Sequence, residues 1–165
     1  MSRVVLVGLP GTGKTEVARL VGEVLHVACV DTDAVLEAKL PGGVADYLVN
    51  FGEAPFRQEE LRVLGEALGT DVVLSTGGGI VETEAARGLL MSQFVVWLDA
   101  SDEVLLPRLE KGNRPLLGQD KAHGLADLRT RRHDFYGLVS DAKIDCSADA
   151  QLVADEVLRL VSTRS

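Results

Sequence analysis

The chain has 165 residues, with 17 basic and 25 acidic side chains and a net charge of −8. This length suits one domain with a proper core and is too short for a kinase of two lobes, and the acidic balance argues against nucleic acid or an anionic membrane as main partner. Only Met1-Ser2-Arg3 precede the first apolar run, and no run reaches the length of a signal or membrane segment, so the expected compartment is the cytoplasm.

The first element, Val4-Val5-Leu6-Val7, is short and β-branched, and reads as a buried central strand. It runs directly into Gly8-Leu9-Pro10-Gly11-Thr12-Gly13-Lys14-Thr15, a GxxxxGKT loop. Its glycines let the backbone wrap a phosphate and point N–H groups at it. Apolar Val17, Leu20, Val21, Val24 and Leu25 then recur at one-sided helical spacing, which holds the helix N-terminus toward the ligand. Lys14 is the cation for the β- and γ-phosphates, and the Thr15 hydroxyl is a ligand for Mg²⁺.

A second strand at residues 27–30 leads to Asp31-Thr32-Asp33. Ligands of open α/β sheets bind beyond the carboxyl ends of the strands. Asp31 there suits a Mg²⁺-bound water, and Asp33 suits a hydrogen bond or proton from a substrate hydroxyl; helix capping is the alternative use of the pair. Residues 39–51, interrupted by Pro41-Gly42-Gly43, read as a mobile flap. Residues 55–68 carry Leu61, Leu64 and Leu68 on one side of a helix, on which Arg57 has Glu53 and Glu60 in reach. Arg57 is thus fit for a bidentate carboxylate contact, or for a surface ion pair.

The third strand, 72–74, is followed by Ser75-Thr76-Gly77-Gly78-Gly79, whose bare amides suit a phosphoryl group or a small polar substrate, or a plain turn. A fourth run, 94–98, ends at Asp99. The polar stretch 112–124 reads as a second flap, and its Arg114 as a cation carried onto transferring phosphates. Arg132 follows Arg129 and Arg131, a run that in isolation is usually a solvated helix face. Spacing does not choose among these arginines. A fifth strand at 142–146 and a helix at 150–161 close the chain. Cys29 and Cys146 read as small buried side chains of a reducing compartment, and His26, His123 and His133 lack neighbours at ligand spacing. The alternation as a whole reads as βαβ units forming a parallel sheet covered on both faces.

In order, the GxxxxGKT loop, Asp31-Thr32-Asp33, Gly52-Glu53-x-x-Phe56-Arg57-x-x-Glu60, Gly77-Gly78-Gly79, Arg114-Pro115-Leu116-Leu117 and Arg132-x-x-x-Tyr136 make a set that resembles the shikimate kinases over nearly the whole chain. The resemblance implies a three-layer α/β/α P-loop fold of the nucleoside-monophosphate-kinase-like branch, with a five-stranded parallel sheet. It implies a single domain, a substrate flap at about 34–60, a lid at about 112–124 and a monomer. The implied activity is ATP-dependent phosphorylation of a shikimate hydroxyl to shikimate 3-phosphate in aromatic amino-acid synthesis, with Mg²⁺ held near Thr15 and Asp31. ATP contacts then fall to Gly11, Thr12, Gly13, Lys14, Thr15, Arg108 and Arg114. The acid falls to Asp33, Arg57, Gly77, Gly78, Gly79 and Arg132, with Asp33, Lys14 and Arg114 in catalytic roles.

The chain departs from the family pattern at Asp145-Cys146, where Asp-Thr is common, at Pro107, which removes a helical hydrogen bond beside Arg108, and at Pro41-Gly42-Gly43. Rival readings are another small-molecule P-loop kinase of gluconate type, an ATPase using Asp99 as metal carboxylate, and a GTPase reading guanine through Ala142-Lys143-Ile144-Asp145. The last lacks the amide that guanine recognition needs at its first position.

Overall fold

The computed structural model describes residues 1–110, 118 and 120–164. Five parallel strands form one sheet in the order β2-β3-β1-β4-β5, with β1 at Val4–Val7, β2 at Ala28–Asp31, β3 at Val72–Ser75, β4 at Val95–Asp99 and β5 at Ala142–Asp145. The runs of β1, β3 and β4 are buried along their whole length. Near-continuous apolar strands are what a parallel sheet covered on both faces requires.

Helices α1 (Lys14–Leu25) and α8 (Ala150–Thr163) pack on each other, and α1 also meets β1, β2 and β3. Helices α4 (Glu53–Leu68), α5 (Glu84–Leu90) and α7 (Lys121–Val139) make the other layer, with α6 (Asp102–Leu109) against α7. The three-layer α/β/α arrangement expected from the sequence is therefore present. Among the described residues, no helix is long and apolar enough to cross a membrane.

The stretch 39–51, read as a mobile flap, is built of regular elements: α2 (Thr32–Lys39) is followed by α3 (Gly43–Phe51). Gly42 and Gly43, with φ of 74° and 88°, make the tight turn between them, and the Val44 N–H donates to Glu37 Oε2 at 2.9 Å. Val44, Tyr47 and Leu48 then lie at i, i+3 and i+4 and pack on Leu36, Leu40, Phe56 and Val63, a small core separate from the main one. One expectation needs correction: Cys29 is exposed because β2 is an edge strand, whereas Cys146 is buried as expected.

Candidate active site

The GxxxxGKT loop joins β1 to α1 at the carboxyl edge of the sheet. Gly11 and Gly13 have φ of 85° and 84°, a region costly for any side chain. Lys14 is buried, its ammonium donating to the carbonyls of Gly8 at 2.8 Å and Leu9 at 2.9 Å. Thr12 Oγ1 donates to the same Leu9 carbonyl. The loop is thus pinned around the charge it presents to a phosphate. A cleft of about 560 Å³ opens beside it, bordered by Gly11, Gly13, Lys14 and Thr15 on one side and Asp31, Asp33, Thr76 and Gly78 on the other, with Arg108 at its rim.

The end of this cleft beside Thr15 is built by strand register. Asp31 pairs with Ser75 across β2 and β3. The Thr15 hydroxyl donates to Asp31 Oδ2 at 2.6 Å and lies 3.4 Å from Ser75 Oγ. Three hard oxygens at the phosphate end suit Mg²⁺, which keeps several of its waters. Asp31 Oδ1 meanwhile accepts from the amides of Asp33 and Ala34, so one oxygen of the carboxylate caps α2 while the other meets Thr15. Ser75 escaped notice in the sequence as a possible ligand; its place at the end of a strand, just before Thr-Gly-Gly-Gly, was the available signal.

The three successive glycines are the floor on which the acidic and basic groups meet. A methyl on Gly77 would collide with Asp33 Oδ1 and come within 3.2 Å of Glu60 Oε2. On Gly78 it would lie 2.9 Å from Arg132 Nη1, and on Gly79 2.5 Å from Arg57 Nη1. The Gly77 amide donates to Thr32 Oγ1 at 2.9 Å, tying the run to the middle residue of Asp31-Thr32-Asp33. Asp33, Arg57 and Arg132, distant in sequence, are thereby brought to one surface, and Gly78 shares the cleft with Lys14.

Arg132 is not on a solvated face: it is 2% exposed. Its Nε donates to Glu82 Oε2 at 2.9 Å, and among the described residues its Nη2 has no hydrogen-bond partner. A buried guanidinium with an open donor is a place for an anion. Tyr136, one turn on, donates to the Gly78 carbonyl at 2.7 Å; burial pushes its phenol pKa up, so it stays a neutral donor. Leu125, Leu128, Arg132, Tyr136 and Val139 are the buried residues of α7. Arg132 therefore occupies a core-facing stripe at spacings of three and four, the signal in the sequence that its basic neighbours obscured.

Arg57 bonds Glu60 Oε1 at 2.9 Å and Glu53 at 3.3 Å, and Glu82 lies 3.6 Å away. Burial works against its charge but is outweighed by the field and hydrogen bond of Glu60, then by Glu82 and Glu53, so its pKa is raised and it is firmly cationic. Glu60 is itself only 2% exposed, and burial raises its pKa although the Arg57 guanidinium pulls the other way. It also faces Asp33 and Arg132.

On the nucleotide side, α6 runs through Pro107, and Arg108 donates to the carbonyls of Gly11 at 3.2 Å and Cys146 at 2.9 Å. It bridges the phosphate loop to the segment after β5. Asp99 is bound by Arg129 at 3.0 Å with Lys143 at 3.6 Å, and it is not placed as a metal carboxylate beside Thr15. Asp145 accepts from the amide and hydroxyl of Ser147. Arg114 and most of the expected lid at 112–124 lie outside the described residues; the last part of that stretch, from Lys121, already belongs to α7.

The family model for shikimate kinase matches residues 10–162. The shikimate kinase of Corynebacterium jeikeium (strain K411) is 38% identical over 162 residues, covering 96% of this chain and 88% of its own length. That of Gloeobacter violaceus is 40% identical over 163 residues, covering 96% and 92%. The structure of shikimate kinase from Acinetobacter baumannii in complex with shikimate superposes with a TM-score of 0.91 at 32% identity, covering 98% of this chain and 93% of the other. By motif, sequence and fold, the chain belongs to the shikimate kinase family.

Proposed function

We propose that this chain transfers the γ-phosphoryl group of ATP to a hydroxyl of shikimate, giving shikimate 3-phosphate and ADP. The observation that carries the reading is the glycine floor: Gly77, Gly78 and Gly79 lie against Asp33, Arg132 and Arg57 in turn, next to the phosphate loop. A carboxylate on Arg57 and Arg132 fixes one end of the acid, and Asp33 then receives a ring hydroxyl facing the cleft of Lys14.

In this arrangement the hydroxyl oxygen forms a bond to the γ-phosphorus as the bond to the β,γ-bridging oxygen breaks, and ADP carries that oxygen away. Asp33 orients the hydroxyl and accepts its proton. Lys14 offsets charge on the phosphates, the loop amides hold them in line, and positioning supplies much of the acceleration. Thr15 and Asp31, with Ser75 beside them, are the oxygens that would hold Mg²⁺. Bound there with ATP, the ion neutralises phosphate charge. Arg114, on the resemblance alone, is the cation of a lid at about 112–124, and Arg108 borders the adenine. The substrate flap at about 34–60 includes α2 and α3, whose own small core suits movement as a unit. A monomer as the working unit rests on the resemblance alone. Dependence on ATP supports a place in the cytoplasm.

The test is ADP release coupled to a reporter, with shikimate, quinate, gluconate and several nucleotides as acceptors. Turnover is expected to depend on shikimate. ATP hydrolysis indifferent to any acceptor, or a clear preference for gluconate, would overturn the proposal.

A further inference from the structure

Glu82 has no role in the mechanism above, yet it sits at the acid-binding arginines. It ends the short 3-10 helix Gly78–Glu82, which begins within the glycine run. Its Oε2 accepts from Arg132 Nε at 2.9 Å and lies 3.6 Å from Arg57 Nη2, and its Oε1 is 3.6 Å from Arg131 Nε. One carboxylate therefore spans both guanidiniums assigned to the acid. The ion pairs continue through Arg57 to Glu60 and Glu53, so the cations Arg57, Arg131 and Arg132 are matched by Glu53, Glu60 and Glu82. The incoming acid meets guanidiniums already paired with carboxylates, and Asp33 lies beside them, so it does not enter a bare cationic pocket.

We infer that Glu82 is a specificity-setting residue of this site: a built-in counter-anion that shares Arg57 and Arg132 with the substrate carboxylate and weakens the hold on it. The inference rests on the reading of these arginines as the acid's anchor. Two features favour competition in charge over competition for the same donors. Glu82 takes the Nε edge of Arg132, and among the described residues Nη2 has no partner, so a second carboxylate still finds a donor. Yet two carboxylates on one pair of guanidiniums must lie near each other in a partly desolvated site, where like charges are poorly screened.

The experiment compares wild type with Glu82→Gln, whose amide oxygen can still accept from Arg132 Nε while the charge is gone. Dissociation constants are measured by calorimetry for shikimate and for its uncharged carboxamide analogue, with KM for ATP as control. Glu82→Gln should bind shikimate about tenfold more tightly, while its affinities for the carboxamide and for ATP stay those of wild type. Glu82→Ala, equally neutral, is read with the same ligands should the first variant fail to fold. Unchanged or weaker shikimate binding overturns the inference, and so does an equal shift for acid and carboxamide, which would mean altered shape. Failure of the wild type to phosphorylate shikimate would remove the functional reading and this inference with it; normal wild-type turnover with no gain in the variant removes the inference alone.

Discussion

Replacing Gly79 by alanine tests the acid site through a single methyl group. Built on this backbone, the methyl lies 2.5 Å from Arg57 Nη1, 2.7 Å from Nη2 and 2.9 Å from Cζ. Ordinary contact between such atoms is about 3.5–4.0 Å, so the guanidinium must retreat by about 1 Å. Arg57 is the flexible partner, but Glu60 at 2.9 Å and Glu53 at 3.3 Å resist free movement. Gly79 is not among the glycines with left-handed φ, so alanine carries no backbone penalty there and the fold should hold. A charged hydrogen bond is worth about 1.5–3 kcal/mol, and its loss corresponds to about 10- to 150-fold in kcat/KM for shikimate. Coupled ADP release at saturating ATP, with shikimate varied, measures this, and thermal melting checks the fold. KM for ATP should be unchanged. A folded Gly79→Ala with wild-type kcat/KM for shikimate would refute the claim that Arg57 anchors the acid over this glycine.

Three further outcomes are expected. Lys14→Ala should lower kcat by about 10²- to 10³-fold, the usual cost of one preorganised electrostatic donor, and near-normal single-turnover phosphoryl transfer would remove Lys14 from its role. Asp31→Asn keeps an oxygen able to cap α2 but loses the charge beside Thr15, so it should raise the Mg²⁺ concentration needed for half-maximal rate with little change in melting; Asp31→Ala should in addition cost about 1 kcal/mol of stability for the lost cap. An unaltered Mg²⁺ dependence in both variants would separate Asp31 from the metal. For Glu60, burial raises the pKa in the folded state, so in the window above the ordinary glutamate value the folded chain binds more protons than the unfolded one. Its contribution is therefore fully present below the unfolded pKa and is lost as pH rises through the folded one. Denaturant unfolding should show wild type losing ground to Glu60→Gln as pH rises above the ordinary glutamate range, and a gap that is constant or moves the other way would contradict the burial argument.

The phosphate loop and the central strands were legible in the sequence because each is fixed by local chemistry. Apolar β-branched runs needed no tertiary information to be strands, and the helices read at 55–68 and 150–161 match α4 and α8 to within two residues at each end. Strand order is different. Nothing local in Ala28-Cys29-Val30 distinguishes an edge strand from an inner one, so the exposure of Cys29 waited for the sheet itself. In residues 39–51 Pro41-Gly42-Gly43 signals a break, and the break is a turn between two helices, whose apolar faces pack on each other and on Phe56 and Val63 of α4. Asp31 posed a choice between cap and metal-side ligand; the structure shows the cap at Oδ1 and leaves Oδ2 on the Thr15 hydroxyl, so the two uses do not compete.

Arg132 shows why a residue's type and its periodic position must be weighed together. The run Arg129, Arg131 and Arg132 reads as solvated when charge alone is considered, yet only Arg132 lies in register with Leu125, Leu128, Tyr136 and Val139. A charged side chain held in an apolar stripe carries a desolvation penalty that needs a partner. Glu82 supplies part of it at Nε, Nη1 lies against Gly78 of the glycine run, and among the described residues Nη2 has no hydrogen-bond partner. A fold concerned only with stability would gain from leucine at this position. The arginine stands instead at the point where Asp33, Arg57 and the glycine floor converge, and on the proposed reading a bound carboxylate completes its hydrogen bonding.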